Sequence, residues 1–436
     1  MTKVNEELLQ FLNAGHTCFQ VIDEVRSTLH HEGFEELSEG QVWELKEGGK
    51  YFTVRNESSI LAFQLPTKAF NGFMIGASHS DSPTFKIKDN PEMISDGYVK
   101  LNVEGYGGMI DGTWMDRPLS VAGRIVVKEG NHYVTKLVDV DDDFLMIPNL
   151  AIHMDRTANA NHTWNDQKDM LPIIGSEKEA KGKFMEIVAK SAGVKAEDIL
   201  GHDLYLYIRE KGRVWGAEKE YVSAGHLDDL QCAFGCMKGF LASSNAYSVP
   251  VLAIFDNEEV GSRTKQGANS TFLYDTLRRI VLACGGNEET YIRHVANSFM
   301  VSADNAHAVH PNSPEKADPV NRPHINEGIV VKFHGGQAYT TDAISAAIFR
   351  DLCAKVNVPT QVFTNRSDSR GGSTLGNLSA THVSLNTVDI GLPQLAMHSC
   401  YETAGTKDTQ YLCEAMKEVF SASLKDCGHG NYELVK

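Results

Sequence analysis

The segment LAIFDNEEVGS, residues 252–262, runs from an apolar stretch directly into acidic residues and then into a glycine. The apolar part is typical of a buried β-strand, and Gly261 allows the backbone to turn. Glu258 and Glu259 therefore stand side by side at the end of a predicted strand, where each repels the other and loses hydration. The pair belongs either to a solvated loop or to a site in which a cation compensates the charge.

The length and composition of the chain narrow the choice of function. With 436 residues the chain is longer than one hydrophobic core usually serves, so two domains are expected. A net charge of -16, without a basic run, disfavours nucleic acid and membrane surfaces as partners. The first residues predict an amphipathic helix and lack the features of a signal peptide. Eight cysteines scattered through mostly apolar segments indicate a reducing environment, and we predict a cytoplasmic protein.

The sequence texture changes twice along the chain. Residues 1–87 and 216–436 alternate helical patterns with buried strands, which predicts an α/β catalytic domain. Residues 88–215 alternate short β-branched stretches with Gly and Asp turns, which is typical of small antiparallel sheets. The simplest arrangement is a discontinuous α/β domain interrupted by a β-rich insert.

Possible metal ligands stand at the ends of several predicted elements. Because ligands bind beyond the carboxyl ends of strands in open α/β sheets, residues far apart in the chain can converge there. Two imidazoles and three carboxylates suit a divalent ion such as Zn, with Mn or Co as alternatives. The candidate ligands are His79, Asp228, Glu259, Asp304 and His398, of which Asp228 opens a predicted helix.

Each candidate also has an ordinary structural interpretation. His79 alone is typical of a loop histidine, but Asp81 lies two residues on and can orient its imidazole. Asp304 alone is typical of a helix cap. The choice between Asp228 and its neighbour Asp229 cannot be made from spacing. His307 and His310 are interpreted as structural residues rather than ligands.

Five segments carry a resemblance to a known family. They cover the ends of the predicted elements, and the similarity extends over essentially the whole chain, including IPNLAIHMDR at residues 147–156. The chain resembles the aspartyl aminopeptidase family of cocatalytic zinc metallopeptidases. The segments are GASHSDSP (76–83), GHLDDL (225–230), FDNEEVGS (255–262), SADNAHAVHPN (302–312) and LAMHS (395–399).

The resemblance implies a division of labour among the candidate ligands. It implies a mixed-sheet catalytic domain that binds two metal ions. His79 and Asp304 would hold one ion, Glu259 and His398 the other, and Asp228 would bridge them. Glu258 would be the general base, which gives the two adjacent glutamates different tasks. The resemblance also leads us to expect a cis peptide bond after Asp228.

The resemblance also implies an assembly. The β-rich insert would mediate dimerisation within a dodecamer, and His153 would enter the active site of the partner subunit. Without the resemblance, His153 would be interpreted as a structural residue at the end of a strand. The expected substrates are peptides with a free N-terminus.

Substrate preference is predicted from the segment VVKFHGGQAYTTDA, residues 330–343. Lys332 and His334 leave an apolar strand ahead of two glycines, which allow a loop to approach a ligand closely. We assign Lys332, His334 and Tyr339 to the substrate pocket and predict a preference for N-terminal Asp or Glu. Ala338 stands where the family pattern has a basic residue, so the strictness of that preference stays open.

The same candidate ligands would also serve related functions. A two-metal aminopeptidase of broader specificity, a deacylase or a carboxypeptidase would share the core ligands. A non-catalytic assembly protein is disfavoured because the ligand set is complete. A phosphoesterase would need cationic groups near the ligands, for which Arg366 and Arg370 are the candidates.

Overall fold

The structure is a computed structural model that describes residues 2–160 and 162–435. The helices are α1 Lys3–Ala14, α2 Cys18–His31, α3 Glu177–Ala180, α4 Phe184–Ser191, α5 Leu227–Leu241, α6 Phe272–Ala283, α7 Glu288–Ala296, α8 Ala343–Lys355, α9 Leu375–Ser379 and α10 Asp408–Ser421. The strands are β1 Glu35–Glu36, β2 Lys50–Arg55, β3 Ser59–Gln64, β4 Phe73–His79, β5 Thr84–Ser95, β6 Tyr98–Tyr106, β7 Leu119–Glu129, β8 His132–Asp139, β9 Ile173–Ser176, β10 Ile199–Ile208, β11 Arg213–Trp215, β12 Tyr221–Ala224, β13 Val249–Phe255, β14 Phe299–Ala303, β15 Ala306–His307, β16 Ile329–Phe333, β17 Thr360–Thr364, β18 Asn386–Gly391, β19 Pro393–Leu395, β20 Glu402–Gly405, β21 Ser423–Asp426 and β22 Tyr432–Val435. Among the described helices, none has both the length and the apolar character needed to cross a bilayer.

A nine-stranded mixed sheet forms the centre of the molecule, in the order β1-β2-β3-β13-β4-β14-β18-β16-β17. Strands β13, β4, β14 and β18 run parallel, whereas β3 and β16 are antiparallel to their neighbours β13 and β18. Every residue of β4 and β13 is buried, as expected for parallel strands covered on both faces. The predicted α/β class with a mixed sheet is confirmed.

Helices cover both faces of this sheet. One face packs against α1, α2, α5, α8 and α10, and the other against α6, α7 and α9. The predicted N-terminal amphipathic helix is α1, which begins after Thr2, whose side chain accepts the N–H of Asn5. Helices α5 and α10 pack closely at Gly239, where an added Cβ would lie only 2.6 Å from Met416 Cβ. This contact fixes the helix that carries Asp228 at its start.

A second, antiparallel sheet lies between β5 and β10 in the chain, with strand order β8-β7-β10-β5-β6-β9. It has its own apolar core, which includes Phe85, Trp114 and Phe184. Its strands begin at Thr84 and end at Ile208, while β11 belongs to another sheet. The β-rich part therefore begins and ends a few residues before the predicted 88 and 215, because strand pairing cannot be read from local sequence.

A five-stranded sheet, β11-β12-β20-β19-β15, connects the remaining site segments. Strand β12 leads into Asp228, and it pairs antiparallel with β20, which begins at Glu402. His398 lies in the turn between β19 and β20. From its sequence His398 is expected to lie at the end of a strand of the main sheet, as His79 and Asp304 do, but the strand before it, β19, belongs to this smaller sheet. The local apolar pattern is the same in both cases, so only the pairing separates them.

Candidate metal centre

The candidate ligands come together from segments that are distant in the sequence. His79 is the last residue of β4, and Asp304 follows the last residue of β14. Glu258 and Glu259 lie in a short 3-10 turn after β13. Together with Asp228 and His398 they line one cleft of about 370 Å³. The sequence-predicted ligands and the predicted base are therefore neighbours in space.

The turn after β13 explains how two adjacent glutamates reach the same cleft. Successive side chains of a strand point to opposite faces, so the backbone has to leave the extended conformation. Asn257 has φ 60° and Gly261 has φ 94°, both in the left-handed region. The backbone therefore turns between Asn257 and Gly261, and the expectation that Gly261 allows such a turn is confirmed.

Asp228 lies between the two histidines. Its Oδ1 is 3.7 Å from Nε2 of His79, and its Oδ2 is 3.6 Å from Nε2 of His398. The Oδ1 atom is buried and has no hydrogen-bond partner among the described residues. These distances are longer than a hydrogen bond. They resemble the distance between two ligand atoms that each lie about 2 Å from the same zinc ion. One oxygen of Asp228 thus faces each histidine, which fits a carboxylate shared by two ions.

The other ligand atoms extend this pattern on both sides of Asp228. Glu259 Oε2 is 3.5 Å from Nε2 of His398. Single ligand atoms of His79, Asp228 and Glu259 lie within 4.8 Å of one another, and so do those of His79, Glu258 and Asp304. The donor set consists of imidazole nitrogens and carboxylate oxygens, which zinc accepts. The residues present therefore fit divalent metal ions.

The peptide bond between Asp228 and Asp229 is cis, as expected from the resemblance. Asp228 lines the cleft, whereas Oδ2 of Asp229 accepts the backbone N–H of His79 at 3.2 Å. The two neighbouring aspartates thus differ in their contacts, although a ligand atom of Asp229 also lies within 4.8 Å of those of Asp228 and Asp304.

Asp81 contacts several of the residues that line the cleft. Its Oδ1 is 3.3 Å from Nδ1 of His79, whose Nδ1 also lies 3.0 Å from the Asp81 carbonyl oxygen. The same carboxylate accepts the backbone N–H of Glu258 and of Glu259, each at 3.1 Å. Asp81 therefore orients one candidate ligand and the turn that carries the two glutamates.

The cleft concentrates negative charge. Burial raises the pKa of Glu258 to about 8, and burial together with Asp228 raises the pKa of Glu259 well above its usual range. Burial alone would lower the pKa of His79, but Asp81 and the surrounding carboxylates raise it well above its usual value. Bound cations would relieve the repulsion between the adjacent carboxylates of Glu258 and Glu259.

The site also contains a buried carboxylate and a tyrosine that the sequence does not predict. Glu402 accepts the N–H of Asp228 at 2.9 Å and the N–H of His398 at 2.7 Å, and burial raises its pKa to about 8. Tyr106 donates from its hydroxyl to Oδ2 of Asp81 at 2.7 Å. The sequence around Glu402, ETAG at residues 402–405, contains no apolar run that would have indicated a buried carboxylate. Tyr106 had no signal either, because it comes from the β-rich part.

The predicted substrate residues are divided between two clefts. Lys332 and Tyr339 line the same cleft as the candidate ligands, and so does His307. His334 lines a neighbouring cleft, where its Nδ1 accepts the N–H of Gly336 and of Ala338.

Two other predicted features lie away from the ligands. His153 lies in an exposed turn of the β-rich part. Arg366 lines the neighbouring cleft and pairs with Asp368, and Arg370 is exposed.

Comparison with known proteins identifies the family. The family described as Aminopeptidase I zinc metalloprotease (M18) matches residues 11–420. The chain belongs to the M18 family. It is therefore a zinc aminopeptidase, a hydrolase that acts on peptides.

Individual M18 relatives match over nearly the whole chain. A "Probable M18 family aminopeptidase 2" of Clostridium acetobutylicum is 46% identical over 95% of this chain and 98% of its own length. A "Probable aspartyl aminopeptidase" of Ricinus communis is 34% identical over 96% of this chain and 95% of its own.

Solved M18 structures share the fold. A structure of an Ape4 and Nbr1 complex aligns with a TM-score of 0.92 at 35% identity, over 96% of this chain and 85% of that one. A structure of the S. cerevisiae mApe1 dodecamer aligns with a TM-score of 0.83 at 26% identity, over 96% of each chain.

Proposed function

We propose that this M18 aminopeptidase uses two zinc ions and a glutamate base to remove an N-terminal residue, with Asp or Glu preferred. His79 and Asp304 would hold one ion, Glu259 and His398 the other, and Asp228 would bridge them. The observation that carries this proposal is that each oxygen of Asp228 faces a different histidine at 3.6–3.7 Å. When bound, such an ion pair lowers the pKa of water toward neutrality and polarises a carbonyl.

The side chains around the ions would manage the proton. Glu258 would accept the proton of the attacking water and return it to the leaving amine. The hydrogen bond from the N–H of Glu258 to Asp81 supports this role, because it holds the start of the turn through the backbone and does not involve the Glu258 carboxylate. Asp81 would act through His79 and the turn rather than on the substrate.

A direct assay separates this function from the related hydrolases. Amino-acid amides and short peptides with free N-termini are expected to be cleaved, whereas N-acetylated amino acids and N-blocked peptides are not. Preferential cleavage of the acylated compounds would instead indicate a deacylase. Metal analysis on gently purified protein decides between zinc and the alternatives manganese and cobalt, and two ions per chain are expected.

The acidic preference rests on Lys332. Its side chain is 4% exposed, and among the described residues lining the cleft it is the one permanently charged cation. Burial alone would lower the pKa of Lys332, but Asp304 and other nearby groups raise it, so the ammonium stays charged. Its Nζ lies 3.3 Å from Asp304 and 2.8 Å from the carbonyl oxygen of Asn305. The relative named "Probable aspartyl aminopeptidase" also supports the preference.

Lys332→Met is expected to reduce the preference for acidic substrates about tenfold or more, because a charge-assisted hydrogen bond contributes roughly 1.5–3 kcal/mol. The measurement is the ratio of kcat/KM for Asp- and Leu-terminated substrates in both proteins. Because Lys332 also contacts Asp304, zinc content is measured in parallel. The ratio is the better readout, since partial metal loss slows both substrates alike. A wild-type enzyme that favours Leu would refute the acidic assignment.

We also propose that residues 88–215 form a dimerisation domain of a dodecamer in the cytoplasm. The mApe1 structure described as a dodecamer supports this, as does the exposed apolar surface around His153. Leu150 is 59% exposed and Met154 is 74% exposed, so a partner subunit would cover them. His153 would then reach the partner's active site.

His153→Ala is expected to lose most activity while it keeps its zinc and its assembly. The reason is that His153 lies in an exposed turn, so its removal disturbs little of its own subunit. Analytical ultracentrifugation should give a particle many times heavier than one chain for both proteins. Sedimentation of the wild type as an active monomer would contradict both the assembly and the role of His153.

A further inference from the structure

A stretch of the β-rich part runs directly alongside the candidate metal centre. It has the sequence YGGMIDGT, begins at Tyr106 where β6 ends and continues to Thr113, and is called here the 106–113 segment. It follows a strand of the six-stranded sheet and packs within the β-rich part through Tyr106 and Met109, but it also contacts residues around the candidate metal centre. These contacts are with three separate parts of the site.

The first contact is made by Tyr106. Its hydroxyl donates to Oδ2 of Asp81 at 2.7 Å and accepts from Nδ2 of Asn257 at 2.8 Å. Asn257 begins the turn that carries Glu258 and Glu259. One hydroxyl therefore connects the residue that orients His79 with the turn that carries both glutamates.

The second contact is made by Gly107. Its φ is +75°, and a Cβ built there would lie 3.0 Å from Cβ of Glu259 and 3.4 Å from its carbonyl oxygen. The backbone of the segment thus lies against Glu259 itself. A side chain at this position would have to displace it.

The third contact holds the turn that contains His398. The N–H of Ile110 donates to the carbonyl oxygen of His398 at 2.9 Å. Oγ1 of Thr113 accepts the N–H of Cys400 at 3.1 Å. This turn connects β19 and β20 and does not belong to the main sheet, so the 106–113 segment joins it to the β-rich part.

We infer that the 106–113 segment positions the ligands of the metal centre. Gly107, Ile110 and Thr113 act on Glu259 and on the turn that contains His398, and Tyr106 acts through Asp81 and Asn257. The inference rests on the proposed two-metal centre. It means that the β-rich part is required for metal binding as well as for assembly. Movement of this part relative to the catalytic domain would change how tightly the second ion is held.

The central test compares Tyr106→Phe with Tyr205→Phe. Tyr205 is a matched control because its ring lies edge-to-face against Tyr106 at 5.5 Å and lines the same small cavity. Zinc retention is measured by equilibrium dialysis against a graded zinc buffer. Then kcat and KM are measured at saturating zinc, and thermal stability is measured on the metal-free proteins.

Tyr106→Phe is expected to weaken retention of one zinc ion by about 10-fold, the lower end of the usual effect of removing a ligand's hydrogen-bond partner, because its hydroxyl contacts Asp81 and Asn257 rather than a ligand. At saturating zinc, kcat should fall and KM should change little, because the hydroxyl acts on the ligands and not on the substrate. Tyr205→Phe should retain zinc like the wild type. Equal retention in the two variants would overturn the inference, and so would zinc loss that follows thermal destabilisation of the metal-free protein.

A backbone test uses Gly107→Ala with Gly97→Ala as its control. Gly97 precedes the same strand and has a similar φ of +83°, but a Cβ built there meets nothing within 4 Å. Both variants carry the conformational strain, and Gly107→Ala alone presses on Glu259. If zinc retention is weaker in Gly107→Ala but not in Gly97→Ala, the inference is supported. Equal zinc retention in the two variants contradicts it.

Glu259→Ala serves as the reference in the same dialysis. If Glu259→Ala keeps both ions, the proposed metal centre itself is wrong. If Glu259→Ala loses an ion while Tyr106→Phe and Gly107→Ala keep both, the metal centre stands and the inference about the segment fails.

Discussion

Glu258→Gln is expected to retain both zinc ions and to lose about 10²-fold to 10⁴-fold in kcat, the usual contribution of a general acid–base group. Glutamine has nearly the same shape but cannot accept the proton of the attacking water. The hydrogen bond that holds the turn comes from the backbone N–H of residue 258, so the substitution leaves it intact. The measurements are kcat with an aminoacyl substrate and zinc content by elemental analysis.

The geometry makes zinc content the decisive control. A carboxylate oxygen of Glu258 lies within 4.8 Å of the ligand atoms of both His79 and Asp304, so the side chain is also close enough to be considered as a ligand. If Glu258→Gln loses zinc, the glutamate is a ligand and the base must be sought elsewhere. Near-full kcat with zinc retained would also reject the base assignment. Glu258→Asp, which restores a carboxylate, should recover part of the activity.

Glu259→Ala is expected to lose the ion shared with His398 and to be inactive at ordinary zinc concentrations. Loss of a direct ligand should weaken zinc affinity by more than about 100-fold, which is the upper limit for loss of an outer hydrogen-bond partner. The measurement is the zinc dissociation constant from dialysis. Val260→Ala is the matched control, because Val260 lies in the same turn and is 49% exposed.

The metal-free forms separate ligand loss from misfolding. Burial and Asp228 raise the pKa of Glu259 well above its usual range, so the metal-free protein is destabilised by this group. Metal-free Glu259→Ala should therefore unfold at the same temperature as the metal-free wild type or higher. If its unfolding temperature is much lower, the loss of zinc results from disruption of the fold. Unchanged zinc affinity would refute the ligand assignment.

The sequence by itself determined the class of fold and the residues worth testing. Apolar runs predicted buried strands, and β4, β13 and β14 are such strands. Because these runs end where the site residues begin, the positions of His79, the glutamate pair and Asp304 at strand ends could be predicted. Periodicity and turn residues are local properties, so they can be read from one chain without an alignment. The family motifs added the cis bond and the choice of Asp228.

Only the tertiary structure decided how these residues are held. His398 reaches the cleft through the five-stranded sheet, and Glu402 joins its backbone to that of Asp228. Lys332 is paired with Asp304 inside the cleft instead of being free at a strand end. Tyr106 reaches Asp81 from the β-rich part.

These features have one physical reason in common. Each is a contact between residues that are distant in sequence and that meet only when sheets and domains pack. A hydrogen bond depends on distance and angle to a few tenths of an ångström, and no local pattern of polar and apolar residues contains that information. The sequence therefore identified the groups that can do the chemistry, and the packing of three sheets determined which of them face one another.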